Sequence, residues 1–281
     1  MPHLPTRVSL VDVGPRDGLQ NEAIALATDI KVELVNRLSA AGFAGVEGTS
    51  FVSPRRVPQM ADGAQVMARI ARRPGVRYSV LVPNLQGFEA ALPGKPDEIV
   101  VFAAASEMFS QKNIHCSIAE SIERFVPVCE AAHVQGIAIR GVISCALGCP
   151  YQGEVRPQAV RDVARRLKAI GVQHLGVADT IGTGTPRAVQ AAMQAALSVF
   201  ELDQLSGHFH DTYGQAVTNV YACLEMGVAS FDASVAGLGG CPYAPGATGN
   251  VATEDVLYLL RGLDIETGID LDQVVATGQW I

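Results

Sequence analysis

The sequence predicts an α/β protein of the (β/α)8 TIM-barrel class, a single domain over residues 1–281 with a mobile glycine-rich loop after the eighth strand. Three observations carry that expectation. Short apolar, β-branched runs alternate with longer segments of helical spacing. Eight of each fit into about 250 residues, the count that closes a barrel. Polar and glycine-rich residues gather just after the runs, where the βα loops of a barrel carry its chemistry. A doubly wound sheet also alternates strands and helices, but gives no reason to stop at eight.

In chain order, a strand is expected at 8–13, then a helix at 28–41 with Thr28 at its N-cap. Strands at 45–51 and 78–82 lead into helices at 63–72 and 85–92. The strand at 98–104 precedes a helix at 117–134 capped by Ser117, and the strand at 138–145 one at 157–170 with Pro157 in its first turn. The strand at 174–178 precedes a helix at 186–200, with Thr185 as cap and Pro186 in the first turn. Strands at 205–210 and 231–236 feed helices at 215–226 and 251–261, the last with Asn250 where a cap belongs.

Composition narrows the function classes. With 21 Lys and Arg against 28 Asp and Glu, a net charge of −7 and 48% hydrophobic residues, the chain reads as a folded acidic globule, not a small disulfide-stapled module. It carries no block of Lys and Arg, so a nucleic-acid partner is not expected. The six cysteines are scattered without a C-x-x-C pair, and no signal peptide is recognised, which points to reduced thiols in the cytoplasm. The longest apolar stretch, 99–105, is far short of the roughly 20 residues that span a bilayer, so no membrane partner is expected.

His208-Phe-His210-Asp211 is the sharpest local signal. Residues two apart on a strand face the same way, so both imidazoles would meet at the barrel mouth while Phe209 points toward the helices. They read as paired metal ligands or as ordinary polar strand-end residues. Arg16-Asp17-Gly-Leu-Gln20 closes the first strand: a surface salt bridge, or a carboxylate that adds a hard oxygen to the two imidazoles beside a cation fit for an enolate. Asp17, His208 and His210 would suit octahedral Mg²⁺ or Mn²⁺ better than zinc. Glu47 and Ser50, Asp179 and Thr180 follow other strands at the same end.

The loop 237–250 fits neither a dinucleotide fingerprint nor a P-loop. It reads either as a lid carrying Cys241 to the site or as a structural turn with an inert thiol. Asn250 at its end is most simply an N-cap. Cys145 and Cys149 read as packed thiols, and Arg55, Arg56 and Lys112 as loop charges that either contact an anionic substrate or are merely solvated.

Several segments together resemble the hydroxymethylglutaryl-CoA lyase family: G-P-R-D-G-L-Q-N-E at 14–22, T-S-F-V-S-P at 49–54, V-P-Q-M at 57–60, S-C-A-L-G-C-P-Y at 144–151, D-T-I-G at 179–182, H-x-H-D-T-Y-G-Q at 208–215 and S-V-A-G-L-G-G-C-P-Y-A-x-G-A-x-G-N-x-A-T-E-D at 234–255. The last is the family's signature loop; R-D-G-x-Q and H-x-H are shared with isopropylmalate and homocitrate synthases. The resemblance implies cleavage of 3-hydroxy-3-methylglutaryl-CoA to acetyl-CoA and acetoacetate, as in leucine breakdown, with Mg²⁺ or Mn²⁺. It implies Asp17, His208, His210 and Asn250 as metal ligands, Arg16 as the substrate-binding group that steadies an enolate, Cys241 as the catalytic thiol, Glu47 as an acidic site residue, and His208 or Asp17 as base. An acyl-CoA is the expected partner and a homo-oligomer the expected assembly.

Three other functions stay open: a lyase for a longer 3-hydroxy-3-alkylglutaryl-CoA such as the isohexenyl compound, an acyl-CoA condensing synthase, and a non-catalytic metal- or CoA-binding barrel. Two departures stand out. Gly48 replaces a common Thr, which would loosen the loop beside Glu47, and Phe209 replaces a smaller residue between the histidines. Family members also usually continue beyond Ile281 by a helix-sized segment.

Overall fold

The computed structural model describes residues 4–240 and 249–281. Eight parallel strands form a closed barrel in sequence order. They are β1 (Ser9–Asp12), β2 (Gly45–Ser50), β3 (Arg77–Leu81), β4 (Glu98–Ala104), β5 (Ala138–Ser144), β6 (His174–Asp179), β7 (Leu205–Phe209) and β8 (Ser230–Ala233). β8 pairs back onto β1, Ser9 opposite Ser230 and Asp12 opposite Ala233, so no sheet edge is left exposed. The strands are covered on both faces, which is why they read as near-continuous apolar runs.

Helices α1 (Thr28–Ala40), α2 (Gly63–Arg69), α3 (Leu85–Ala91), α4 (Glu107–Ile114), α5 (Ile118–Val134), α6 (Pro157–Ala169), α7 (Pro186–Leu197), α8 (Ala216–Leu224), α9 (Thr253–Gly262) and α10 (Leu271–Trp280) surround it. α4 and α10 go beyond the eight expected. α4 is a short extra helix between β4 and α5, started by the Ser106 hydroxyl, which accepts from the Phe109 N–H. α10 packs on α1 and α9, and Arg37 lies 4.4 Å over the Trp280 ring. Neither presents a long apolar stripe, the signal by which helices are read from sequence.

The caps behave unequally. Ser117 forms a full capping box with Glu120. Thr185 holds the N-cap position without a side-chain bond. Thr28 is already helical, and its hydroxyl donates to Asp62 Oδ2 at 2.7 Å. Asn250 is no cap, because α9 begins at Thr253; it bridges His210 instead. Phe209 faces the helix layer as expected, 1% exposed. Among the described residues, no helix is long and apolar enough to cross a membrane.

Candidate metal centre

The centre lies at the C-terminal ends of β1, β2 and β7. After β1 the chain makes a wide helical turn, Gly14–Gly18, that carries Arg16 and Asp17 inward. Asp12 anchors this turn: its carboxylate accepts from the Gly14 N–H at 2.9 Å and, from the segments that follow the neighbouring β8, from Val235 N–H and Thr253 Oγ1, both at 3.0 Å. One buried carboxylate thus ties the β1 turn to the segment that follows β8.

Glu47 arrives by a different device. The pairing of β2 with β3 slips between Glu47 and Thr49, a bulge of the sort that re-aims a side chain. Gly48 sits in that bulge, where a Cβ would stand 3.1 Å from Met67 Sδ. The glycine thus leaves room for the Met67 side chain of α2. Glu47, 2% exposed, accepts from Arg16 Nε at 2.7 Å and from Nη2 at 3.2 Å.

The two oxygens of Asp17 divide their work. Oδ1 accepts from Arg16 Nη1 at 2.6 Å and from Gln20 Nε2 at 3.0 Å. Oδ2 faces His208 Nε2 at 3.8 Å, His210 Nε2 at 3.7 Å and Asn250 Nδ2 at 3.0 Å. The two His–Asp separations are too long for hydrogen bonds and too short for indifference. The donor atoms of Asp17, His208 and His210 all lie within 4.8 Å of one another and all three residues are buried, an N,N,O set that fits one divalent metal ion. His208 Nδ1 is bonded to Asp232 Oδ2 at 3.0 Å, which leaves Nε2 as the ring's ligand atom. His210 and Asn250 are brought opposite each other because 249–251 runs along the end of β7, Val251 N–H donating to the Phe209 carbonyl at 2.9 Å.

The electrostatics agree with the geometry. Burial alone would push the Asp17 carboxyl up, but the Arg16 guanidinium and the two imidazoles hold it well below the usual carboxylate range. Burial opposes the charge on Arg16, and Glu47 and Asp17 more than restore it, raising its pKa. Burial would also strip His208 of its proton, but the bond and charge of Asp232 raise its pKa.

Other residues singled out in the sequence turn out to shape loops. Asp179 accepts from Thr183 and Gly184 N–H, Thr180 Oγ1 from Cys145 N–H, and Asp211 from Ala216 N–H. Ser50 is buried with no partner for its hydroxyl among the described residues. Cys145 and Cys149 are buried thiols, and Cys149 Sγ accepts from Ser106 Oγ at 3.0 Å. Arg55 and Arg56 are exposed, and Lys112 lies exposed on α4 rather than in a loop. Cys241 lies outside the described residues. Sequence reasoning missed Asp12, Arg140 and Asp232; the available signal was a charged residue inside an otherwise apolar strand run.

A profile of the HMGL-like family matches residues 7–281. The chain belongs to the HMGL-like family. It is 58% identical over 279 residues to a 3-hydroxy-3-isohexenylglutaryl-CoA/hydroxy-methylglutaryl-CoA lyase of Pseudomonas aeruginosa, covering 99% of this chain and 93% of that one. The fold superposes on a crystal structure of hydroxymethylglutaryl-CoA lyase from P. aeruginosa with a TM-score of 0.96, at 58% identity, covering 98% of this chain and 92% of the other. A family lyase from Acinetobacter baumannii, solved with coenzyme A and 3-methylmalate, superposes at 0.94 with 35% identity over 99% of this chain and 91% of its own.

Proposed function

We propose that the chain, acting as one catalytic domain over 1–281, splits 3-hydroxy-3-methylglutaryl-CoA into acetyl-CoA and acetoacetate with the help of Mg²⁺ or Mn²⁺. The observation that carries this reading is the convergence of Asp17 Oδ2 with Nε2 of His208 and His210 beside Arg16, in a chain of full-length similarity to lyases of that name. Asp17, His208, His210 and Asn250 are assigned to hold the ion; the Asn250 carboxamide carries an acceptor oxygen as well as the donor now turned to Asp17. A divalent ion there supplies Lewis acidity, lowering the pKa of the substrate's tertiary hydroxyl.

The proton of that hydroxyl is assigned to a base beside the ion, Asp17 or His208; His208 can take it only at Nε2, since Nδ1 is engaged by Asp232, and so only when that atom is not holding the ion. The oxygen's electrons then form the ketone of acetoacetate, the C2–C3 bond breaks, and its electron pair stays on C2 as the enolate of acetyl-CoA. Arg16 is assigned to that enolate oxygen. Its guanidinium is held by two bonds to Glu47 and one to Asp17, so it is oriented before the charge arrives. Cys241 is assigned, on sequence alone, to the proton transfer that converts C2 to a methyl group.

Release of acetoacetate measured in a coupled assay tests the reading: turnover should vanish with chelator and return with Mg²⁺ or Mn²⁺. Acetoacetate formed at an unchanged rate in chelator would overturn it. A second reading, in which the isohexenyl homologue is the better substrate, is favoured by the double name of the 58% identical relative. Comparing kcat/KM on the two acyl-CoAs decides between them. A cytoplasmic location, leucine degradation and a homo-oligomeric assembly complete the proposal; fractionation, growth on leucine after gene deletion, and light scattering test them in turn.

A further inference from the structure

We propose that Asp232 and Arg140 act as a positioning pair that fixes which nitrogen of His208 faces the metal site, and thereby sets the affinity of that site. The inference rests on the metal-centre reading above. Arg140 stands on β5 and Asp232 on β8, so the pair crosses the barrel interior past two intervening strands. Arg140 Nη2 donates to Asp232 Oδ1 at 2.6 Å and Oδ2 at 2.5 Å, and to Ser206 Oγ of β7 at 3.2 Å. On β6 the crossing point is Gly176, where a Cβ would stand 3.3 Å from Nη2. The strands between the pair thus offer one hydroxyl and one missing side chain along its path.

Such a pair is costly. Arg140 is 4% exposed and Asp232 3%, and removing two charges from water commonly costs as much as their attraction returns. Its specific effect lies at His208. Held by Arg140, the Asp232 carboxylate can only accept, so His208 carries its proton on Nδ1 and turns a lone pair on Nε2 toward Asp17. His210 has no such support: its Nδ1 is buried without a hydrogen-bond partner among the described residues. His208 is therefore the ligand whose tautomer the fold dictates.

Asp232→Asn separates this role from mere packing. Arg140 will take the amide oxygen, leaving the amide NH₂ to face Nδ1, which forces the proton onto Nε2 and blocks the ligand lone pair. We expect the variant to bind Mn²⁺ 10–100-fold more weakly in an EPR titration of free Mn²⁺, with Asp17→Asn as the control that weakens binding through a direct ligand. Long-range ¹H–¹⁵N spectra of ¹⁵N-histidine protein without metal should show His208 protonated on Nδ1 in wild type and on Nε2 in Asp232→Asn. Arg140→Lys, which keeps a cation under the carboxylate, should retain the wild-type tautomer and bind Mn²⁺ within a few-fold of wild type. Unchanged Mn²⁺ affinity in Asp232→Asn, with Asp17→Asn impaired, overturns the positioning role alone. Failure of the wild type to bind Mn²⁺ overturns the metal centre and the inference together. Should Asp232→Asn not fold, the wild-type spectrum still decides, since a His208 protonated on Nε2 and not on Nδ1 contradicts the proposal.

Discussion

The two mouths of the barrel both bury charge, but they do so differently. At the C-terminal mouth Asp17 spends one oxygen on Arg16 and Gln20 and aims the other at two imidazoles and a carboxamide. At the N-terminal mouth a cavity of about 530 Å³ is lined by Arg77, Glu98, Arg140, His174 and Ser206. There Glu98, 1% exposed, accepts no hydrogen bond at either oxygen among the described residues, and its nearest cation atom is Arg77 Nε at 3.6 Å. Burial of a carboxylate is common to both ends. Among the described residues, only the C-terminal end also gathers ligand atoms around one point, as expected where βα loops build the site and the opposite face serves stability.

The sharpest way to break that contrast is to remove the cation at the working end. Arg16→Gln leaves Glu47 and Asp17 without their common partner and removes the donor proposed for the enolate. We expect kcat to fall about 10²–10³-fold, the scale for losing one preorganised donor to a developing oxyanion. Near-wild-type turnover with metal bound would separate Arg16 from the chemistry. Cys241→Ser is expected to lower turnover in the same assay while leaving Mn²⁺ affinity within a few-fold, since the thiol is assigned to proton transfer and not to the ion.

The barrel itself was legible because its signal is repetitive: β1 to β8 each follow an apolar run, and an error of a residue or two at any end leaves the count intact. The cluster of Asp17, His208 and His210 was legible because motif and strand end coincide. What supports them was not. Asp232 and Arg140 are far apart in sequence and meet only because β5 and β8 curve round the same interior. Asp12 was hidden by being a polar residue inside a strand, where sequence reads an interruption rather than an anchor. Read from the local residues alone, Asn250 stood as a cap, because loop end and helix start look alike until 249–251 are seen running beside the end of β7. The bulge at Gly48 likewise depends on the register of two strands, which local sequence does not encode.

Asp12 sharpens the comparison within the C-terminal mouth, since it is a buried carboxylate with three neutral donors and, among the described residues, no bonded cation. Burial lifts its carboxyl from 3.8 to about 7 in spite of those donors. The folded chain therefore holds a proton there that the unfolded chain has lost, over the interval between those two values. Stability contributed by this group is full below pH 4, declines as pH rises toward 7 and is level above it, by at most about 1.4 kcal/mol per pH unit. Urea melts at pH 5 and pH 8 should show wild type weaker at pH 8, and Asp12→Asn should abolish most of that difference. An undiminished difference in the variant would mean that another group carries it.

The smallest effect belongs to the N-terminal mouth. Glu98→Gln replaces a buried anion by an isosteric amide that can donate as well as accept, and costs only the 3.6 Å ion pair with a half-exposed Arg77. The carboxylate also lies among the charges that act on Arg140, so its loss removes one of several anions near that guanidinium while Asp232 keeps both of its contacts. We expect kcat/KM within about two-fold of wild type, and stability unchanged or raised, because an unbonded buried charge costs more than a neutral group of the same shape. A loss of turnover approaching that of Arg16→Gln would show that the two mouths are coupled through Arg140 and Asp232, and the division of the barrel into a working end and a supporting end would fall with it.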